Sequence, residues 1–515
     1  MASTSSTQPT PFASRWLVSN GNQDTVPCRG AVFFARSLGK NETKMEMTMN
    51  QHNKLAMPIA MALSLMALAA ATPLCAQPYP VPDTWGGDLG SRARLTGDWG
   101  GTRDELAKKG IVIDQDVYWT GSAILDGGKN ETGGNWGNAV TSVHIDTGKA
   151  GMWPGGFIKM KAVTSFGHSI YADTGALVPP NEAWALPTLQ EDTGLQELSI
   201  LQFLSPKAGI IAGKIDLSVT PNVFYGDYRT GFANTSLNLP LASALVPLSA
   251  FGAGVIYLPN HNIHLTGMLL DPSGTIKDND LGDAFDDGVM ALFTGDMKTH
   301  MGGLPGHQNL LLSWSNKERN SLIQDPTNLA RLFLNESFPR LGNPGPVLYQ
   351  IIEEKAPWLL VPAEPLNKED STWAAVYSFE QFLWQPEGKP KSGIGMFFSA
   401  GVSDGRANPI KNSYTLGLGG KGMFASRPRD EFGIGYSRTE FSDYFASHLR
   451  DTFDLGLEHE DALELYYSFS VTPWLTVSPS IQAVRSALTR TLDESNNFKD
   501  LDTTIILGVR LGIRF

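Results

Sequence analysis

The last strand of the chain, Asp502–Phe515 with the sequence DTTIILGVRLGIRF, decides the fold class. Every second residue from Thr503 to Phe515 is apolar apart from the first, whereas the residues between them are mostly small or cationic and include Arg510 and Arg514. A strand with one apolar face and one wet face gives this period of two. The terminal aromatic residue predicts the closing strand of an outer-membrane β-barrel, apolar outside and polar inside. A terminal strand of a soluble β-sandwich is the alternative from this segment alone.

Composition narrows the class of protein further. The chain has 515 residues, a formal net charge of −12 and 2 cysteines. Its mean hydropathy of −0.14 argues against a helical membrane protein. The acidic balance argues against nucleic-acid binding, which selects basic surfaces. A length that would ordinarily indicate two or three soluble domains also fits one large barrel.

One apolar run near the N-terminus predicts export. Leu55–Ala71 follows Lys54 and leads to the small-residue exit at Ala76, which is the pattern of a secretory signal peptide. We assign residues 49–76 to this signal. Residues 1–48 carry no folding or membrane signature, which we interpret as a translation start set too early, with a disordered leader as the alternative. Cys28 and Cys75 both precede the expected cleavage point, so the exported protein would contain no disulfide or thiolate site.

From Ile111 to the C-terminus the chain repeats one unit, an alternating segment of roughly ten residues followed by a turn or loop. In Phe157–Phe166, for example, Met160 would face lipid while Lys159 and Lys161 face inward. Short and long connections alternate. We therefore predict an all-β fold, a transmembrane antiparallel β-barrel over residues 111–515. It should have about 16 strands, short periplasmic turns and long extracellular loops. A barrel of this size leaves an aqueous lumen, and we expect the longest loop, 317–370, to fold into its mouth; a surface cap contacting lipopolysaccharide is the alternative.

A series of short motifs resembles one family in its order along the chain. Residues 77–110 form an N-terminal periplasmic segment, in which Thr102 is expected to cap a short helix that ends at Gly110. Within it, LTGDWGGTR at Leu95–Arg103 resembles the start of the carbohydrate-selective porin family of the OprB type. The matching motifs that follow are GKID at 213–216, TGFAN at 230–234, GLPG at 303–306, QFLW at 381–384, SDG at 403–405, RPRD at 427–430 and ELYY with VTPWL at 464–475. Gly231 departs from the family, which has glutamine there.

The resemblance implies a passive outer-membrane channel for neutral sugars, typically glucose and similar monosaccharides, without a metal, nucleotide or other cofactor. It also implies contact with outer-membrane lipid and lipopolysaccharide. The C-terminal strand ending in Phe515 would be recognised by the barrel-assembly machinery. Members of the family form trimers or remain monomers, and the sequence leaves both open.

Candidate sugar contacts follow from the expected inner face. A sugar-preferring lumen needs hydroxyl partners and aromatic faces without a strong field of one sign. The inward or loop residues that meet this description are Lys159, Lys161, Glu197, Lys214, Asp216, Arg229 and Glu464. Arg229 is the best loop candidate because aromatic residues, Phe224 among them, precede it. Arg103 is expected to anchor the N-terminal helix through an ion pair.

The sequence leaves two other functions open. A general or anion-preferring porin would share this architecture, and an outer-membrane acyl hydrolase would need a catalytic cluster. Ser142, His144 and Asp146 share one strand face, which strand alternation explains without a catalytic triad. His459 stands alone as a zinc ligand in its segment, and the glycines at 417–420 lack the following helix of a phosphate-binding loop.

Overall fold

The computed structural model describes the folded part of the chain from the N-terminal segment onward. The residues it describes are 79, 81–181, 191–218, 224, 229–324, 350, 353–355, 366–445, 450, 456–457, 459–492 and 498–515. The predicted leader, the predicted signal peptide and most of the loop 317–370 lie outside these residues. Their interpretation therefore stays a prediction.

Sixteen antiparallel strands close into one barrel, in which each strand pairs with its neighbours in sequence and the first pairs with the last. This confirms the predicted fold class and strand number. The strands are β1 Ile111–Asp126, β2 Gly133–Asp146, β3 Gly156–His168, β4 Asp192–Ser205, β5 Ala208–Asp216, β6 Ser249–Asn260, β7 Ile263–Leu270, β8 Met290–Met301, β9 Leu304–Ser315, β10 Thr372–Trp384, β11 Gly393–Ser403, β12 Ile410–Lys421, β13 Glu431–Phe441, β14 His459–Ser470, β15 Leu475–Arg485 and β16 Thr504–Arg514.

The two faces of β16 separate as the alternation predicts. Leu507 and Val509 are exposed on the outer wall, at 45% and 39%. Ile506 and Arg510 are buried on the inner side. The outer wall of such a barrel faces the hydrocarbon of the membrane, where exposed apolar side chains are favourable. The inner wall, in contrast, can carry polar side chains.

Aromatic side chains mark both ends of the outer wall. Trp314 and Trp373 pair across β9 and β10 near the long loops and are both exposed. Tyr257 and Trp384 are exposed near the short turns. Such belts place amphipathic rings at the two membrane–water interfaces.

Short and long connections lie at opposite ends of the barrel. Residues 206–207, 261–262 and 302–303 form tight turns, whereas residues 169–191, 217–248 and 271–289 form long loops. The long connection between β9 and β10 begins and ends with a small strand pair, Arg319–Asn320 with Lys368–Glu369. A second small pair, Arg490–Leu492 with Phe498–Asp500, lies in the connection before β16.

The helices that the structure describes with both ends are short. They include α1 Thr102–Lys108, α2 Tyr171–Thr174 and α3 Thr235–Asn238, and a 3₁₀ turn lies at Leu241–Ser243. In the part of the chain that the structure describes, no helix has the length and apolarity needed to cross a membrane. The cap expected at Thr102 is wrong: the residue before the helix is Gly101, at φ 90°, and no side chain caps it. Glycine suits this position because it adopts positive φ at little cost.

The N-terminal segment packs against the barrel near the short turns. Tyr79, Trp85 and Ala107 form a buried cluster with Phe157 and Leu201 of the wall. The contacts bury apolar surface that would otherwise face water at the periplasmic end.

Arg103 anchors this segment as expected. Its Nη2 donates to Asp114 Oδ1 at 2.8 Å, to the carbonyl of Ile113 at 2.8 Å and to the carbonyl of Phe515 at 3.1 Å. Its guanidinium lies over the rings of Trp85 and Trp99. Burial lowers the pKa of Arg103 from its ordinary value, and Asp114 opposes that effect.

Candidate functional site: the narrowed lumen

The described parts of two long loops lie inside the lumen. One is the β3–β4 loop, residues 169–191, which carries α2. The other, which we call the crossing loop, spans residues 217–248 and carries α3 and the 3₁₀ turn. Phe232, Leu237 and Ala242 of the crossing loop are completely buried. The loops therefore occupy the space that a barrel of this size would otherwise leave to water.

The crossing loop is held by polar side chains of the wall on the far side from its own strands. Glu464 of β14 accepts hydrogen bonds from the backbone N–H of Ala233 at 2.8 Å and of Asn234 at 2.9 Å. The Asn234 side-chain amide donates to Gln482 Oε1 of β15 at 3.1 Å. The hydroxyls of Ser236 and Ser437 are 2.5 Å apart. These bonds satisfy loop backbone and side-chain groups that burial has removed from water.

Arg510 of the C-terminal strand donates hydrogen bonds to the crossing loop, whereas Glu464 accepts them. Its Nη2 donates to the carbonyl of Gly231, and its Nη1 lies 3.5 Å from the carbonyl of Phe232. Gly231 thus contributes a backbone acceptor to the wall.

Two phenylalanine rings seat the same loop in hollows of the wall. A Cβ added to Gly395 or Gly419 would lie 2.2 Å or 2.6 Å from the ring of Phe224, and one added to Gly435 would lie 2.9 Å from Phe232. The backbone N–H of Phe224 also donates to Glu380 Oε1 at 2.8 Å. Glycine on the inner face of β11, β12 and β13 is thus required by the close approach of these rings.

The β3–β4 loop is held in the same manner. Glu460 of β14 accepts from the backbone N–H of Leu177 at 2.7 Å and of Val178 at 2.9 Å. The Gln482 side-chain amide donates to the carbonyl of Pro180 at 3.0 Å. Gln482 consequently joins both loops to one strand.

The predicted sugar contacts on β3, β4 and β5 form two buried ion pairs. Lys159 Nζ is 2.5 Å from Glu197 Oε2, and Lys161 Nζ is 2.8 Å from Asp216 Oδ2. Ser199 and Gln196 add hydrogen bonds to the two carboxylates, at 2.8 Å and 2.9 Å. The structure therefore brings four of the seven candidates together, with their charges balanced.

The other three candidates, Lys214, Glu464 and Arg229, are not members of these two ion pairs. Lys214 is buried beneath the 271–289 loop, where its ammonium donates to the carbonyls of Ile276 and Asp278 and to Asn279 Oδ1. Its three donors are thus used. Glu464 holds the crossing loop. Arg229 lies in the crossing loop, near enough to Lys161 to act on it electrostatically, and is half-buried.

Sequence reasoning gave no role to Glu380, Glu460, Gln482 or Arg510. Their strand positions predict an inward direction, and a carboxylate or guanidinium facing inward at mid-strand is the available signal. What the sequence does not show is which loop segment reaches each of them.

The residues weighed for a hydrolase do not converge. Ser142, His144 and Asp146 occupy alternate positions of β2, so neighbouring members are separated by about 6.5–7 Å along the strand, far beyond a hydrogen bond. His144 pairs in register with Lys159 and lies 5.0 Å from the ring of Tyr79. Gly417–Gly420 lies within β12, as expected.

Comparisons with known proteins agree with this architecture. The family described as carbohydrate-selective porin, OprB family, matches residues 130–515. Porin B of Pseudomonas aeruginosa is 22% identical over 449 residues, which cover 81% of this chain and 90% of that protein. A putative porin, QuiX, of Acinetobacter baylyi is 21% identical over 481 residues, covering 87% and 99%.

A solved structure supports the fold. OprB of Pseudomonas putida at high pH superposes with a TM-score of 0.67 at 20% identity, covering 83% of this chain and all of that one. The family match extends over most of the barrel, from residue 130 to residue 515. The chain therefore belongs to the carbohydrate-selective porin, OprB family, of the bacterial outer membrane.

Proposed function

We propose that this protein lets neutral monosaccharides such as glucose diffuse passively across the outer membrane into the periplasm. The observation that carries this proposal is the crossing loop, anchored to the far wall by Glu464 and Arg510. It narrows a lumen that would otherwise admit larger solutes. Passive diffusion through a fixed constriction needs no cofactor.

Charge balance favours a neutral solute over an ion. The two lysines of β3 are each neutralised by a carboxylate, Glu197 or Asp216. A ring of unpaired charges of one sign would instead select counter-ions. Of the seven candidate residues we retain Arg229 as a sugar contact. We assign Lys159, Lys161, Glu197, Lys214, Asp216 and Glu464 to holding the passage in shape.

Liposome swelling with the purified protein tests the proposal. Glucose should enter faster than an uncharged amino acid of similar size, because a sugar offers more hydroxyls to the polar lining. Equal rates would reduce the channel to a size filter and contradict sugar selectivity.

An anion-preferring porin is the second candidate, since Arg229 brings a cation close to Lys161. Reversal potentials in a salt gradient separate the two functions. We expect values close to zero, with little selectivity between the ions. A strong anion preference together with equal swelling rates for glucose and the amino acid would favour the alternative.

We further propose that the outer wall contacts outer-membrane lipid and lipopolysaccharide, and that the protein assembles as a homotrimer, with the monomer as the alternative. Mass measurement of the protein in detergent distinguishes trimer from monomer.

We also propose that the barrel-assembly machinery recognises the strand ending in Phe515. The Phe515 N–H donates to Gln115 and its carbonyl accepts from Arg103. Deleting Phe515 should lower the amount of protein in the outer membrane, whereas Phe515→Trp should not. Unchanged levels after deletion would contradict recognition through this residue.

A further inference from the structure

The N-terminal motif Leu95–Arg103 lies where the barrel closes, at the pair formed by β1 and β16, which we call the seam. Neighbouring strands elsewhere in the barrel are also joined by a connection of the chain, whereas the seam is held by non-covalent contacts alone. Its last registered pair at the periplasmic end is Asp116 with Arg514, so Ile111–Gln115 of β1 extends past β16. A strand edge of this kind carries backbone groups that no neighbouring strand satisfies.

Arg103 contacts both sides of the seam. Its Nη2 lies 2.8 Å from the carbonyl of Ile113 on β1 and 3.1 Å from the carbonyl of Phe515, which directly follows β16. The Phe515 N–H occupies the neighbouring position of the edge, where it donates to the carbonyl of Gln115. The guanidinium therefore gives Ile113 the donor that a longer β16 would have supplied.

Two adjacent residues at the start of the motif bridge the seam a second time. The backbone N–H of Leu95 donates to the carbonyl of Arg514 on β16 at 2.7 Å. The guanidinium of Arg94 lies 3.0 Å from Asp114 and also pairs with Asp116, and both carboxylates belong to β1. Because the two residues are consecutive, β16 cannot leave β1 without breaking one of these contacts.

The position of Arg103 is fixed by two tryptophan rings. Its guanidinium lies 5.1 Å from the ring centre of Trp85 and 4.8 Å from that of Trp99, and the residue is 1% exposed. Trp99 adopts φ 54°, a left-handed conformation that is unfavourable for a bulky residue. Surrounding contacts must hold such a conformation in place, and here it brings the ring over the guanidinium.

We propose that residues 94–103 form a latch that keeps the periplasmic end of the seam closed. A segment that was merely anchored would need contacts to one strand, whereas this one binds β1 and β16 together. The two arginines meet the two carboxylates of β1, so the contacts are charge-assisted and balanced. The latch does not depend on which solute passes through the channel.

Hydrogen exchange followed by mass spectrometry tests the latch on the full protein, purified from outer membranes in detergent. The variants are Arg94→Gln and Arg103→Lys, the second of which keeps the charge and removes the planar fork. Amide exchange in residues 116–119 and 511–514 should become about ten- to a hundredfold faster, the worth of one lost hydrogen bond to a charged group. Peptides from the β8–β9 pair should keep the wild-type rate. Lys108→Gln is the matched control, because Lys108 is an exposed cation of the same helix, and it should change neither rate.

Two results would overturn the latch. One is faster exchange confined to residues 84–110 in both variants, with β1 and β16 unchanged, since the segment would then be anchored without holding the seam. The other is faster exchange of equal size at β8–β9, which would indicate general loss of stability. If Arg103→Lys does not fold, Arg94→Gln decides alone, because it leaves Arg103 between Trp85 and Trp99.

Discussion

At the scale of single residues, the inner wall supplies hydrogen-bond partners for the backbone of the inward loops. Glu380, Glu460 and Glu464 accept from loop N–H groups, and Arg510 donates to loop carbonyls. A loop buried in a lumen cannot bond to bulk water at these groups, so it stays only if the wall replaces water. Anchoring of the loops therefore explains acidic and basic side chains at these positions without any contact to a solute.

Replacing Glu464 with glutamine should loosen the crossing loop. One carbonyl oxygen would then face the N–H groups of Ala233 and Asn234 in place of the two carboxylate oxygens that now accept from them, at a cost of about 1–3 kcal/mol. We expect a higher single-channel conductance and a lower temperature for loss of the compact barrel on SDS gels. Glu440→Gln is the control, because Glu440 bonds to Asn412, away from the crossing loop. Identical behaviour of the two variants would contradict the anchoring role.

At the scale of elements, the crossing loop and the strands β11–β13 fit together by shape. Glycines on the inner face of these strands receive Phe224 and Phe232, and the rings of Phe232, Phe397 and Tyr466 meet edge to face. These strands thus carry glycine on their inner face where aromatic side chains of the crossing loop fill the space. The sequence shows these glycines inside alternating strands, but it does not show which rings they receive.

A side chain at Gly419 should displace the loop. In Gly419→Val the Cβ would lie 2.6 Å from Phe224, and such overpacking costs about 1–3 kcal/mol. The barrel should still form, but with a larger and noisier conductance. Gly267→Val is the control, because the nearest atom to a Cβ there is 4.0 Å away. A normal conductance in Gly419→Val would show that Phe224 does not occupy this hollow.

A disulfide provides a direct test of the loop position. The hydroxyls of Ser236 and Ser437 are 2.5 Å apart, close to the length of a disulfide bond, which is about 2.0 Å. In the exported protein, Ser236→Cys with Ser437→Cys should oxidise spontaneously, which mass spectrometry detects. The swelling rate with glucose should not change on reduction, since the bond fixes a contact already present. Free thiols in the oxidised sample, or a rate that rises on reduction, would place the loop elsewhere.

At the scale of the whole molecule, the barrel follows from local rules that the sequence carries. Alternation with a period of two identifies strands, and the alternation of short and long connections gives their number and direction. Loop conformation does not follow from such rules. The length of the loop 317–370 leads us to expect that it folds into the mouth, and this stays a prediction because most of that loop lies outside the described residues. The described parts of two other loops, 169–181 and 229–248, lie inside the lumen, which loop length does not predict. Likewise the alternation of β3 predicts that Lys159 and Lys161 face inward, but it does not show that they are buried in ion pairs with Glu197 of β4 and Asp216 of β5.

We propose that the crossing loop reduces a sixteen-stranded barrel to a passage of monosaccharide size. The most direct measurement is the rate of liposome swelling for a mono-, a di- and a trisaccharide of matched osmolarity. We expect rapid entry of the monosaccharide and virtually none of the trisaccharide, with a steeper fall than free diffusion alone would give. Similar entry of all three, scaled only by their diffusion coefficients, would show an open lumen and contradict the proposal.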